Sequence, residues 1–278
     1  MALVAVTKTS IVTGATGALG GAVAAALAGQ SGVVVILARD PSKGETTRQA
    51  LSAGAARIEL VVCDLSNPGS IRDASQAILA AHPEVNLLVN AAAVFERSRH
   101  VTPDGREVMF ASNHLGPFLL TNLLLPALRA GAPSRIITVS APASTHLDFG
   151  DLDGARKFRA LHAFGASKSA NLLFTGALAR RTASSGVTPI SFHPGLVKSG
   201  LMRQAPTFVR FITALGGKPP ARAASALVGL GTDYSVQPEP GAFYKLGRPS
   251  TPPSYSRDVA VQDQLWAVSA KLVGISPS

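Results

Sequence analysis

The chain has 278 residues, of which 46% are hydrophobic and 15% charged, with a formal net charge of +10. That is enough for one large α/β domain with its own core, and too apolar and too sparsely charged for a disordered chain or a coiled coil. The basic residues are scattered, with no dense Lys/Arg block and few aromatics to stack on bases, so the charge fits solubility and attraction of an anionic cofactor better than nucleic acid binding. The single cysteine, Cys63, cannot form an internal disulfide, which suits a reducing cytoplasm. There is no N-terminal signal pattern, and apolar runs such as "GVVVILA" are too short to span a bilayer, so no membrane insertion is expected.

In chain order, short β-branched runs at 10–13, 33–37, 58–62, 86–90, 135–140 and 188–192 read as strands. Longer Ala/Leu-rich runs near 18–29, 44–54, 69–81, 105–129 and 163–184 read as helices. Strands alternating with helices of this length predict βαβ units. The expected fold is α/β, a single Rossmann-type doubly wound parallel sheet flanked by helices, in one domain over 1–278. The Gly/Pro-rich segment 195–240 reads as a lid or substrate-side insertion, "GAFYKLG" as a last strand, and 256–272 as a C-terminal helix.

The first βα junction, "SIVTGATGALGG", sets Gly14, Gly17 and Gly20 at G-x-x-G-x-x-G spacing. Glycines there let the backbone approach a pyrophosphate, whose charge then sits at a helix N-terminus. Thr16, Ala18 and Leu19 complete that turn as candidate cofactor contacts. At the end of the second strand, "VVVILARD" places Arg39 where a 2′-phosphate would lie, and a guanidinium suits phosphate geometry. NADP is therefore favoured; a register one residue later would present Asp40 and turn the preference toward NAD. Asp64 and Leu65 end the third strand and could flank an adenine, whereas "SNPGS" just beyond supplies the better helix caps.

These segments, together with "LLVNAAAVF", "SNHLGPFLLTNLLLP", "RIITVSAPAS", "LDFGDLD", "AFGASKSANLLFTGALARR" and "FHPGLVKSGL", resemble the short-chain dehydrogenase/reductase family, in particular its branch like the retinol dehydrogenases and protochlorophyllide reductases. The resemblance covers about residues 8 to 203. It implies that Asn90, Ala91 and Ala92 lie against the adenosine side of the cofactor. It implies further that Asn113 holds a water near the lysine and that Lys168 grips the nicotinamide ribose. Pro194, Gly195 and Val197 would fold around the carboxamide, with Ser199 near the pyrophosphate and His193 structural. By family habit the two long helices would also pair into a homodimer or tetramer.

The departures bear on chemistry. Ala18 stands where the family's turn has a glycine. Ala141 stands where it has the catalytic serine, and Phe164 where it has the tyrosine of Y-x-x-x-K. Ser140 is the nearest hydroxyl, but a one-residue step in a strand points it to the opposite face unless the strand end twists. Without both hydroxyls, carbonyl reduction by the family's route loses its oxyanion donors, each worth on the order of 3 kcal/mol.

Four readings follow. The first is hydride transfer to an imine, an iminium or an activated C=C bond of a hydrophobic small molecule, which needs no tyrosine acid. The second is carbonyl reduction with a substitute acid, from His146, Asp148, Asp151 or His162. The third is a non-redox cyclase or isomerase that contains NADP, and the fourth a non-catalytic NADP-binding protein. Leu201, Met202, Phe208 and Phe211 would line an apolar substrate site.

Overall fold

The computed structural model describes residues 8–30, 32–204 and 216–276. Strands β1 (Thr9–Thr13), β2 (Val33–Ala38), β3 (Arg57–Val62), β4 (Leu87–Asn90), β5 (Ser134–Val139), β6 (Val187–His193), β7 (Phe243–Lys245) and β8 (Arg248–Ser250) form one sheet in the order β3-β2-β1-β4-β5-β6-β7-β8. All neighbours are parallel except β7 and β8, a closing antiparallel hairpin of which "GAFYKLG" holds only the first strand. β1 and β2 are buried along their whole length. Runs such as "VVVILA" therefore lack alternation, because both faces of a parallel sheet are covered by helices.

One face carries α1 (Ala18–Ala28), α2 (Pro41–Leu51) and α6 (Pro220–Thr232). The other carries α3 (Pro68–Ala81), α4 (Val108–Ala130), α5 (Ala160–Arg181) and α7 (Val259–Val273). Helix α2 begins three residues earlier than its Ala/Leu pattern implies, because Asp40 caps it by accepting the Lys43 amide at 3.1 Å and Pro41 fills its first position.

Two expectations are corrected. The segment 195–240 is not wholly a lid: α6 lies within it and packs Ala223, Ala224, Leu227 and Val228 into the core beside α1. Ahead of α6, Val197 bridges Lys218 and the Lys198 amide donates to the Lys218 carbonyl at 3.0 Å. Phe208 and Phe211 lie outside the described residues, as does the Met202 side chain. Secondly, α4 is 23 residues long and apolar enough to cross a membrane by length and composition, but 78% of its most apolar window is buried within the protein.

Helix α7 lies across α4 and α5. Trp266 is buried between Phe118 of α4 (ring centroids 4.9 Å apart, edge-on) and Phe174 of α5 (6.0 Å, stacked). Ser269 hydrogen-bonds His114 Nε2 of α4 at 2.8 Å, and Asp263 pairs with Arg180 and Arg181. Burial lowers the His114 pKa to about 4, so this imidazole is neutral inside the core. Replacing Trp266 with Ala should cost about 3–5 kcal/mol of folding stability, the usual range for emptying a buried aromatic site. Urea denaturation checks this, and an unchanged midpoint would show that α7 is not part of the core.

Candidate active site

Strand order reverses between β1 and β4, and the crevice above their C-terminal ends is where an open α/β sheet binds ligands. Thr13 ends β1. Its hydroxyl accepts the amides of Ala91 (3.0 Å) and Ala92 (3.1 Å), clipping the chain that leaves β4 against the glycine turn. Gly14 has φ +71°, and a Cβ there would stand 2.7 Å from Ala92 Cα, so only glycine fits. A Cβ on Gly20 would stand 2.3 Å from the Gly14 carbonyl, which explains why α1 can start so close to the turn.

Gly17 caps α1 without a side chain, and the first amide of the helix to find a carbonyl in it is that of Gly21, at 2.8 Å from Gly17. The amides of Ala18, Leu19 and Gly20 are thus left at the helix end, where an anion would satisfy them. Thr16 and Gly17 are exposed beside them. Arg39, at the end of β2, is exposed and has no ion-pair partner among the described residues, whereas the Asp40 carboxylate is occupied as a helix cap. Asp64 holds Ser66 through its amide (2.9 Å) and hydroxyl (2.7 Å), and Asn67 caps α3, as the "SNPGS" segment implied. Leu65 is buried against Gly116. This cradle of free amides and an unpaired guanidinium fits a phosphorylated dinucleotide; when bound, such a cofactor supplies or accepts hydride.

On the other side of the crevice, Asn90 is buried and donates to Thr121 and Thr138. Asn113 sits in a π-helical turn, Ala111–Leu115, inside α4. The Gly116 amide reaches back to the Ala111 carbonyl, and Pro117 has no N–H to give the Asn113 carbonyl, so the wide turn follows from sequence. The Asn113 side chain is fully engaged. It accepts the Val94 amide (2.7 Å) and donates to the Val94 carbonyl (3.0 Å) and to Ser167 Oγ (3.1 Å). Ser167 in turn donates to the Phe164 carbonyl at 2.8 Å. Ser167 was not singled out by sequence, since no periodicity marks a buried serine that joins two helices.

Phe164 and Lys168 share one face of α5, at i and i+4, and the Lys168 Nζ lies 5.4 Å from the Phe164 ring centroid. The ring belongs to an apolar cluster with Phe95, Met109, Phe158, Ala163 and Leu201, and meets Phe95 edge-on at 5.6 Å. Lys168 is only 5% exposed, and its Nζ has no hydrogen-bond or ion-pair partner among the described residues. Burial lowers its pKa from the ordinary lysine value to about 8.

Other candidates stand elsewhere. The Ser140 hydroxyl donates to the Lys168 carbonyl at 2.7 Å and is turned into α5, as strand alternation implies. His162 precedes Phe164 by two residues, about 200° around the helix, and is exposed. His146 stacks on Tyr255 at 4.0 Å. Asp148 pairs with Arg156 at 3.0 Å, and Asp151 accepts the amides of Ala155, Arg156 and Lys157. His193 stacks on Phe243, and burial lowers its pKa, with Lys245 adding to the effect. Pro194, Gly195 and Val197 follow β6 at the rim of the crevice, with Ser199 exposed. Cys63 is buried at the end of β3 and its thiol is pushed up to about 12, which makes it inert at neutral pH.

The sequence profile of the short chain dehydrogenase family matches residues 8–208. Human retinol dehydrogenase 13 is 36% identical over 96% of this chain and 85% of its own length, and human retinol dehydrogenase 11 is 34% identical over 96% and 86%. Among solved structures, an uncharacterized protein from Mycobacterium paratuberculosis superposes with a TM-score of 0.77, at 28% identity over 98% of this chain and 95% of that one. The NADPH-bound carbonyl reductase from chicken fatty liver superposes with a TM-score of 0.68 at 20% identity, over 88% and 99%, a likeness of fold alone. With its parallel sheet, its glycine turn at the switch point and these relatives, the chain belongs to the short-chain dehydrogenase family and is an oxidoreductase of that family.

Proposed function

We propose that the protein is an NADP-dependent reductase with a non-standard site, delivering hydride to an imine, an iminium or an activated C=C carbon of a hydrophobic small molecule. The observation that carries this reading is the wall over Lys168. A phenyl ring set in an apolar cluster occupies it, and the Ser140 and Ser167 hydroxyls are spent on backbone carbonyls. A developing alkoxide there would face hydrocarbon. Hydride addition to an iminium carbon gives a neutral amine and develops no oxyanion. The preference for NADP rests on Arg39, unpaired among the described residues while Asp40 is held in its cap.

A second reading, aldehyde reduction, is favoured by the retinol dehydrogenases that the chain resembles at 36% and 34% identity. The two separate cleanly. If the site is built for imines, restoring both hydroxyls (Ala141→Ser with Phe164→Tyr) should create aldehyde reduction that the parent lacks. The gain expected is about a hundredfold or more. A parent that already reduces a long-chain aldehyde as fast as the double variant favours the second reading.

Assembly follows from the same fold. The face of α4 and α5 that pairing of two copies would use is buried under α7, with Trp266 3% exposed. This supports a monomer in place of the dimer or tetramer expected from the resemblance, and sedimentation equilibrium reads the mass directly. Replacing Arg39 with Ala should weaken NADPH binding by about 10- to 100-fold, the worth of a charge-assisted phosphate contact, and leave NADH binding within about threefold. Equal losses for both cofactors, read by fluorescence titration, would remove Arg39 from the 2′-phosphate.

A further inference from the structure

We propose that Lys168 is itself the proton donor of this site, protonating the nitrogen of a neutral imine so that the carbon can accept hydride. This rests on the imine-reductase reading above and goes beyond it by assigning the acid.

The assignment comes from the commitments of the surrounding groups. The Ser140 and Ser167 hydroxyls donate to the carbonyls of Lys168 and Phe164, and the Asn113 amide has no donor left over. Glu107 is spent on the amides of Met109 and Phe110, and Asp151 on three amides of its own loop. His146 is stacked on Tyr255, and His162 projects from the far side of α5. Lys168 remains: buried, pointing along the helix face of Phe164, with no protein partner for its ammonium among the described residues.

An ammonium has three donors. Two ribose hydroxyls, the role that the resemblance gives this lysine, would leave one donor free, and the Nζ that carries it lies 5.4 Å from the Phe164 ring centroid. Burial alone shifts its titration, with no carboxylate or second cation contributing. Asn113 of α4 and Phe95 of the β4 loop, which meet Ser167 and Phe164 on the same helix, are both uncharged. The ammonium therefore loses its proton near the operating pH, as an effective general acid should.

The step balances. Lys168 gives one proton to the C=N nitrogen, forming C=NH⁺. The carbon would then take up hydride, two electrons with one proton, which a reduced nicotinamide cofactor held at the α1 amides and Arg39 would supply, being oxidised in turn. The product is the neutral amine, and the Lys168 amine regains its proton from water.

The test compares two probes on one skeleton, 2,3,3-trimethyl-3H-indole, a weakly basic imine that is neutral at pH 7, and 1,2,3,3-tetramethyl-3H-indolium, a permanent iminium that needs no proton. Lys168→Arg keeps the charge and the ribose-directed donors but gives up no proton at this pH. The expected result is a loss of about a hundredfold or more in kcat on the neutral imine. Turnover of the iminium and NADPH affinity by fluorescence read what the substitution costs in cofactor binding, and the loss on the imine should exceed that on the iminium by about a hundredfold. Equal losses on both probes would overturn the assignment, leaving Lys168 a cofactor-holding residue. A parent enzyme that reduces only the iminium overturns it too, while leaving the imine reading intact. Oxidation of NADPH with neither probe removes that reading and this one with it. Should the Arg variant fail to fold, ¹⁵N-lysine NMR of the unaltered protein decides: an Nζ titrating near 8 is expected, and one at the ordinary lysine value overturns the proposal.

Discussion

The contact between the glycine turn and the chain leaving β4 sets the geometry of everything above the sheet. Thr13 holds the amides of Ala91 and Ala92, and Gly14 lies so close to Ala92 that no Cβ fits between them. That one approach fixes the start of α1 and the floor of the crevice. The path of the chain toward Val94 is fixed with it, and Val94 is in turn clamped by Asn113. The sheet can hold this geometry rigidly because β1 is buried along its whole length between β2 and β4.

From that floor the two sides of the crevice diverge in chemistry. The side under α1 offers backbone amides and Arg39, a polar and cationic surface suited to phosphates. The side under α5 offers one buried ammonium against a phenyl ring and an apolar cluster. A buried lysine without a counter-ion is costly, and the fold tolerates it by letting the pKa fall. The arrangement makes sense in a protein that uses the lysine with a ligand bound, since a purely structural site would gain from an apolar residue there.

Much of this was legible in sequence. The unbroken Val/Ile runs announced a doubly covered parallel sheet, and G-x-x-G-x-x-G between strand and helix announced the cradle. Pro117, four residues after Asn113, carries the signal for the wide turn, because a missing N–H is visible in the letter P. Strand alternation argued that Ser140 faces away from the crevice, and its bond to the Lys168 carbonyl agrees. What stayed hidden depends on partners distant in sequence. Ser167 links Asn113 to Phe164, Trp266 fills the gap between α4 and α5, and α6 emerges from a stretch whose prolines suggested loop. In that stretch Pro219 and Pro220 sit at the cap and first position of the helix, where they are compatible with it, Pro238 and Pro240 follow its end, and the Ala/Leu face packs on α1.

The central claim is that the pocket suits a hydride acceptor that develops no oxyanion. The most direct measurement is the ratio of kcat/KM for NADPH oxidation by the unaltered protein with 1,2,3,3-tetramethyl-3H-indolium to that with an apolar aldehyde of similar size. The account predicts a preference for the iminium of about a hundredfold or more, the worth of a missing oxyanion donor. An aldehyde reduced equally fast or faster would contradict it.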